Sequence, residues 1–451
     1  MKKYLTVGFF SLAQTLFQIV GLIVLTRLLE PSAVGFYAIA ALISSISRLG
    51  LSGVLPAILK ASEDESNYMA SVTLCLARIA SAILFALGCI YFLLGEARFG
   101  EPLYCFLYAF AIFAIQAISL PYEALLIKKK KQAYLVRYEF TNYLLVSFPA
   151  SVGLASMSLG MHALLAPQLL CVSLRYFALT KKFGGALPAR YDLNKFKSML
   201  SLNFASVLNY FSTQGDRLYI SMYYPLDFLG VYTRGSQIFQ FSAAIYSKLV
   251  GYVNFPEFSS EKNIAKRSAL FLRTFKLSYV ASIGLGLLCW LPAEIVLQYL
   301  LGERWTSSAE IAGTFVVFMA PRLTYKLSDY FIMAVRAGSV VVFFQMLYAA
   351  LTLIALAFLA FAPVGHEHIA LAMCVSVSIY FVFVTFYSLY MADADYKNYL
   401  FALYGVAISS AVYIAEGCLG KIDAYVLGWI LFIPCLFPFR SVLHEKVKEF
   451  F

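Results

Sequence analysis

The feature that most limits this chain is a succession of apolar stretches, most of them about 20 residues or longer, the length needed to cross bilayer hydrocarbon. Fourteen fall at roughly 5–30, 33–60, 69–94, 102–127, 138–157, 160–180, 199–224, 227–256, 275–301, 309–335, 339–362, 368–391, 398–416 and 422–438. Of 451 residues, 61% are hydrophobic and 13% charged, against about half and a quarter in soluble domains. One soluble interior cannot hide that much apolar side chain. An all-α polytopic membrane protein is expected. MKKYLTVGFF has the basic start of a signal peptide. The apolar run continues to about residue 29 without a small-residue cleavage site, so it reads as the first span.

An even number of spans puts both termini on one side. One set of loops carries Lys2, Lys3, Lys60, Lys128 to Lys131, Lys181, Lys182, Lys195, Lys262, Lys266, Arg267, Arg336, Lys397, Arg440 and Lys446, whereas the alternate set holds Arg98, Arg304 and Lys421. Lys and Arg in short loops mark the cytoplasmic side, so both termini are expected in the cytoplasm. The net charge of +11 belongs to these loops and points to no nucleic acid. IKKKKQAYLVR after the fourth stretch reads as a topology anchor, with a lipid-head site as the alternative.

TKKFGGALPARYDLNKFK, between the sixth and seventh stretches, has the Gly, Pro and charge of a joint. It suggests an N-terminal lobe at 1–180 (helices 1 to 6), a cytoplasmic linker at 181–198 and a C-terminal lobe at 199–391 (helices 7 to 12). Two additional helices and a cytoplasmic tail follow at 392–451. A short repeat agrees with this division. Gly35 and Tyr37, after the first helix, match Gly230 and Tyr232, after the seventh, at an offset of 195 residues. That offset crosses six spans, so the halves have parallel topology about an axis along the membrane normal.

Charges then stand out inside apolar helices, where each costs about 2.5–3.5 kcal/mol at the bilayer centre. Ser206, Asn209, Thr213 and Asp216 form one helical stripe. Ser44, Arg48 and Ser52 share a face, as do Arg234, Gln237 and Lys248, and Arg322, Lys326 and Asp329. Arg27 and Arg78 lie in the first and third spans. Pairing of Arg217 with Asp216, and of Lys326 with Asp329, absorbs two cations. The remainder are expected to line a cavity for an anionic substrate, Arg being suited to phosphate by its planar fork. Asp216, Arg217, Lys326 and Asp329 read as gate or coupling elements. Glu123, Glu139 and Arg175 read as interfacial.

The eight cysteines are scattered without ligand spacing, and His366 and His368 stand without further ligands, so no metal is expected. No phosphate-binding loop, nucleophile elbow or cofactor fingerprint occurs, so no cofactor and no catalytic residue is expected.

RLLEPSAVGFYAIA, RLGLSG at 48–53, GDRLYI with LGVYTRGSQI, and LLGERWTSSAEI resemble the polysaccharide transporter family over nearly the whole chain. These are Wzx-type flippases of lipid-linked oligosaccharides within the multidrug/oligosaccharidyl-lipid/polysaccharide exporter superfamily. The resemblance implies two six-helix lobes around a central cavity that opens alternately to cytoplasm and periplasm in the bacterial inner membrane. The implied cargo is an undecaprenyl-diphosphate-linked glycan for O-antigen, capsule or exopolysaccharide, with membrane lipids and polymerase machinery as partners. The role of engaging the diphosphate carries over to Arg27, Arg48, Arg234, Lys248 and Arg322. The family often has twelve spans. Here 398–416 and 422–438 are additional, as a lipid-facing groove, an oligomer contact or a stabilising annex. Two other readings remain: a multidrug antiporter of the same superfamily, which needs cavity carboxylates where the interior here is basic, and a membrane sugar polymerase or ligase, which needs a large outer loop.

Overall fold

The computed structural model describes residues 2–49, 58, 63–94, 100–129, 131–183, 192–250, 254, 257–258, 261–335, 338–359 and 365–436. Among these residues it is helical, without strands. Contacts divide the chain into two compact units, Met1–Arg234 and Gly235–Phe451.

The first unit holds α1 (Lys2–Leu28), α2 (Pro31–Leu49), α3 (Glu63–Leu94) and α4 (Glu101–Lys128). After these come α5 (Gln132–Asn142), a π-helical turn Tyr143–Ser147, α6 (Phe148–Ser156), α7 (His162–Lys182), α8 (Leu193–Tyr223) and the start of α9 (Leu226–Leu249). Pro31 opens α2 and Pro102 the first turn of α4, where a missing N–H costs nothing. The fifth stretch is one continuous helix with the π turn at its centre. Phe36, Ala40, Cys105, Ala109, Ile112, Met161, Leu165 and Val172 form a buried cluster joining α2, α4 and α7. Its alanines bring helix backbones close, which is how helices associate where lipid removes the hydrophobic drive.

The second unit holds α10 (Ile264–Leu301), α11 (Thr306–Val317), α12 (Met319–Val335), α13 (Gly338–Leu359), α14 (His366–Met391), α15 (Tyr396–Leu419) and α16 (Lys421–Leu436). The Asn263 side chain caps α10 by accepting from the Lys266 amide at 3.2 Å. Gly302 ends it at φ +94°, a conformation that favours glycine. The tenth stretch is broken at Phe318, because Pro321 has no N–H to give the Val317 carbonyl. Aromatic stacking ties α10, α12 and α14: Phe271 on Phe331 at 4.2 Å, Phe275 on Tyr279 at 5.5 Å and Tyr279 on Phe381 at 5.1 Å. The Tyr279 hydroxyl donates to the Ala402 carbonyl on α15 at 2.7 Å.

Outer faces are apolar. Phe177 is 65% exposed, Phe358 74% and Ile422 70%. Such surfaces suit hydrocarbon rather than water. Among the described residues, eight helices are long and apolar enough to cross a membrane by themselves: α1, α3, α4, α7, α10, α13, α14 and α15. The chain is a multi-pass membrane protein. Among the remaining stretches, α11 and α12 are a divided pair and α16 has 16 residues.

Candidate functional site

Within the first unit, the turn between α1 and α2 meets the turn between α8 and α9. The contact is reciprocal. A Cβ at Gly35 would strike the Leu226 carbonyl, with the carbonyl carbon at 2.9 Å. A Cβ at Gly230 would strike the Pro31 carbonyl, with its carbon at 2.7 Å, and approach the Gly35 amide nitrogen at 3.2 Å. Positions 31 and 226 are separated by the same 195 residues as 35 and 230. Each repeat thus offers its glycine to the other's first helical residue, the pattern of a local two-fold axis. Only glycine permits this approach of backbones.

Behind the crossing lies Asp216, 1% exposed on α8. Its carboxylate accepts from the Tyr232 hydroxyl at 2.7 Å and from the Arg217 backbone amide at 2.8 Å. The Arg217 guanidinium donates instead to Gln214 Oε1 at 3.1 Å. The pairing expected between neighbours in sequence is thus replaced by a tyrosine one helix away. Successive helical side chains project about 100° apart, so adjacent residues do not face each other. Tyr210 adds a second tie, donating from α8 to the Leu42 carbonyl of α2 at 2.9 Å. Thr213, on the expected polar stripe, donates back to the Asn209 carbonyl at 2.8 Å; the Ser206 side chain is outside the described residues.

Arg234, 4% exposed on α9, lies within electrostatic reach of the Tyr37 and Tyr143 hydroxyls, and Tyr37 is also within reach of Arg217. Tyr143 begins the π turn. Gly21 on α1 makes room for its hydroxyl, since a Cβ there would collide with it and touch the Phe148 ring at 3.2 Å. The first unit therefore gathers two arginines, one carboxylate and three tyrosines from α2, the π turn, α8 and α9.

In the second unit, α12 carries Arg322, Lys326 and Asp329. The Arg322 guanidinium carbon is 5.0 Å from the Phe239 ring centroid and 4.9 Å from that of Phe315, within the range of cation–π attraction. Lys326 lies over the Tyr325 ring at 4.8 Å. The Asp329 carboxylate accepts from the Tyr380 hydroxyl at 2.7 Å and from Gln345 Nε2 at 3.4 Å. Lys326 acts on it only at longer range. Here too a tyrosine from another helix, rather than the neighbouring cation, holds the carboxylate. The Tyr380 ring stacks on Tyr348 at 4.5 Å and 11°, which fixes the hydroxyl.

Arg27 is exposed in the last turn of α1, where a cation suits the helix C-terminus. Arg78 is exposed on α3. The side chains of Arg48 and Lys248 lie outside the described residues, as do residues 50–53 of RLGLSG and 184–191 of the expected linker. Arg175 joins Glu123 at 2.9 Å and Glu139 at 2.6 Å, so these three form a clamp between α4, α5 and α7. Sequence reasoning missed Tyr143, Gln345 and Tyr380, which no local spacing announces. Tyr37 and Tyr232 were visible through the G-x-Y repeat but not as partners of charge.

Solved structures share this architecture. The chain is similar to the lipid II flippase MurJ in an inward closed conformation, with TM-score 0.64 and 13% identity over 96% of this chain and 99% of that one. A multidrug resistance MATE family transporter of the MOP superfamily, inward-facing, is similar with TM-score 0.60 and 14% identity over 84% and 96%. A Vibrio cholerae MATE transporter is similar with TM-score 0.64 and 12% identity over 88% and 97%. At such identities the likeness establishes the fold. No curated protein sequence matches the chain significantly. A family model described as polysaccharide biosynthesis protein matches residues 24–310. That match spans well over half of the chain, and the chain belongs to the polysaccharide biosynthesis protein family.

Proposed function

We propose that this protein is a flippase that moves an undecaprenyl-diphosphate-linked oligosaccharide from the cytoplasmic to the periplasmic leaflet by alternating access across fourteen spans. The cargo serves O-antigen, capsule or exopolysaccharide synthesis. One observation carries the reading. Each unit clusters two cations with one carboxylate, Arg217, Arg234 and Asp216 in one and Arg322, Lys326 and Asp329 in the other, and both carboxylates accept from tyrosine hydroxyls. The balance in each is positive, as an anionic head group requires. The same balance counts against a carrier of cationic drugs. The fold shared with a lipid II flippase supports a lipid-linked cargo.

Two further features suit such a cargo. A groove of about 550 Å³ between α15 and α16 is lined by Leu400, Leu403, Tyr404, Ala407 and Pro434, with Lys397 at one end. It has the apolar walls that a polyprenyl chain needs. A diphosphate carries about two negative charges, so its outward transfer across 100 mV, cytoplasm negative, is favoured by about 4.6 kcal/mol. The protein then lowers a barrier by replacing hydration with fixed cations.

The test is complementation of a flippase-deficient strain by Arg234→Ala and Arg322→Ala, with the Lys forms beside them. Surface polysaccharide should fall in the Ala variants at normal expression. Full polysaccharide in both would remove the cationic role, and drug resistance without polysaccharide would favour the antiporter.

A further inference from the structure

The C-terminal ends of α4 and α7 and the start of α5 form a platform in the first unit. Tyr122, Leu126, Leu135 and Leu179 are buried together beneath it, and Phe183 packs against them. The platform carries lysines in a crossed arrangement. Lys129, just past α4, lies over the ring of Phe183, just past α7, at 5.1 Å, and Lys182 of α7 lies over the Tyr134 ring of α5 at 5.2 Å. Both ammonium groups are exposed, as are Lys131 and Lys181. Each ring holds a flexible side chain in place by cation–π attraction, which reduces the ordering cost of binding.

The only carboxylates in residues 118–142 and 172–183 are Glu123 and Glu139. Both contact Arg175. Glu123 is six residues before Lys129 and Arg175 seven before Lys182, so the clamp lies about 9–10 Å deeper along the helices. That is about a Debye length at physiological salt. On these three segments the outer surface is therefore cationic. Two helix C-termini add partial negative charge beneath, which favours the protonated lysines. Exposed Tyr134 and Phe177 border the platform, as aromatic residues do at the head-group level of a bilayer.

We infer that this platform is a docking site for anionic phospholipid head groups, with the Lys129 and Lys182 ammonium groups engaging the phosphate and Tyr134 and Phe183 seating them. Charge complementarity selects the occupant, since a neutral zwitterionic head group gains little from four lysines. The platform uses none of the residues assigned to the cargo, and it stands whatever the cargo is.

Native mass spectrometry of the full-length protein, titrated with phosphatidylglycerol and with phosphatidylcholine of the same acyl chains, tests it. Each lysine is worth about fivefold in affinity for an anionic lipid surface. The double variant Lys129→Gln/Lys182→Gln should bind the first phosphatidylglycerol about 25-fold more weakly and phosphatidylcholine unchanged. Lys129→Arg/Lys182→Arg and Lys421→Gln should bind both as the parent does. If the double Gln variant does not fold, the single Gln variants are measured, each about fivefold weaker. Undiminished phosphatidylglycerol binding in the Gln variants overturns the inference. So does displacement of the lipid by equimolar inorganic pyrophosphate, which would mark a site for free phosphate.

Discussion

Gly230→Ala probes the crossing on which the two repeats meet. Its new Cβ would stand 2.7 Å from the Pro31 carbonyl carbon, where ordinary contact is about 3.5 Å. The difference is about 0.8 Å, and the obstructing atoms are backbone, which cannot rotate aside. The start of α9 must therefore withdraw from the start of α2. Overpacking of this kind costs about 1–3 kcal/mol. The cost falls only on the conformer in which the two turns touch, so an equilibrium between touching and parted conformers shifts by about 5- to 150-fold. Spin labels at Ser32→Cys and Asp227→Cys, one on each turn, read this by double electron–electron resonance. The parent should show mainly the short distance and Gly230→Ala a larger long-distance fraction. Gly35→Ala should act alike through the Leu226 carbonyl. The double variant should add less than the sum, because one withdrawal relieves both clashes. An unchanged distance distribution in both single variants, at unchanged thermal stability, would refute the reasoning.

Three other perturbations follow from the same contacts. Tyr232→Phe removes the donor at 2.7 Å from a buried carboxylate and should lower stability by about 1.5–3 kcal/mol, read as a fall in unfolding temperature that Asp216→Asn partly reverses; an unchanged temperature contradicts the assignment. Arg322→Lys keeps the charge but loses the planar stack on Phe239 and Phe315, so polysaccharide export should fall at normal expression, and full export would show that charge alone suffices. Gly21→Ala displaces the Tyr143 hydroxyl and should cost about 1–3 kcal/mol, rescued by Tyr143→Phe, which removes the colliding oxygen; lack of rescue would place the cost elsewhere.

Much of the fold was legible because hydrocarbon imposes a single demand on length and polarity. The stretch expected at 102–127 is α4 at Glu101–Lys128, and that at 368–391 is α14 at His366–Met391. Helix ends outside the apolar zone were hidden. α10 begins at Ile264, eleven residues before the expected 275, because Lys266, Arg267 and Arg273 continue the helix without continuing its apolarity. Two irregularities within helices also escaped. One has a local cause in Pro321 that hydropathy ignores. The π turn at Tyr143–Ser147 has none in its own residues and is seated against α1 through Gly21.

The site was half legible. Charges in apolar helices announce themselves, and Asp216 and Asp329 are both buried. Their partners did not, since Tyr232 and Tyr380 lie 16 and 51 residues away and two tyrosines among thirty-two carry no mark. The G-x-Y repeat was visible as two matched pairs, Gly35 with Gly230 and Tyr37 with Tyr232, but its meaning as a crossing of backbones needed the carbonyls of Pro31 and Leu226, positions whose side chains differ.

The central claim is that fixed cations in these helices receive a lipid-borne diphosphate. The most direct measurement is the affinity of the purified protein for undecaprenyl diphosphate against undecaprenol, with Arg234→Ala and Arg322→Ala beside the parent. The account predicts tight binding of the diphosphate, weak binding of the alcohol, and loss of that difference in both variants. Equal affinity for the two lipids, or a difference that survives both substitutions, would contradict it.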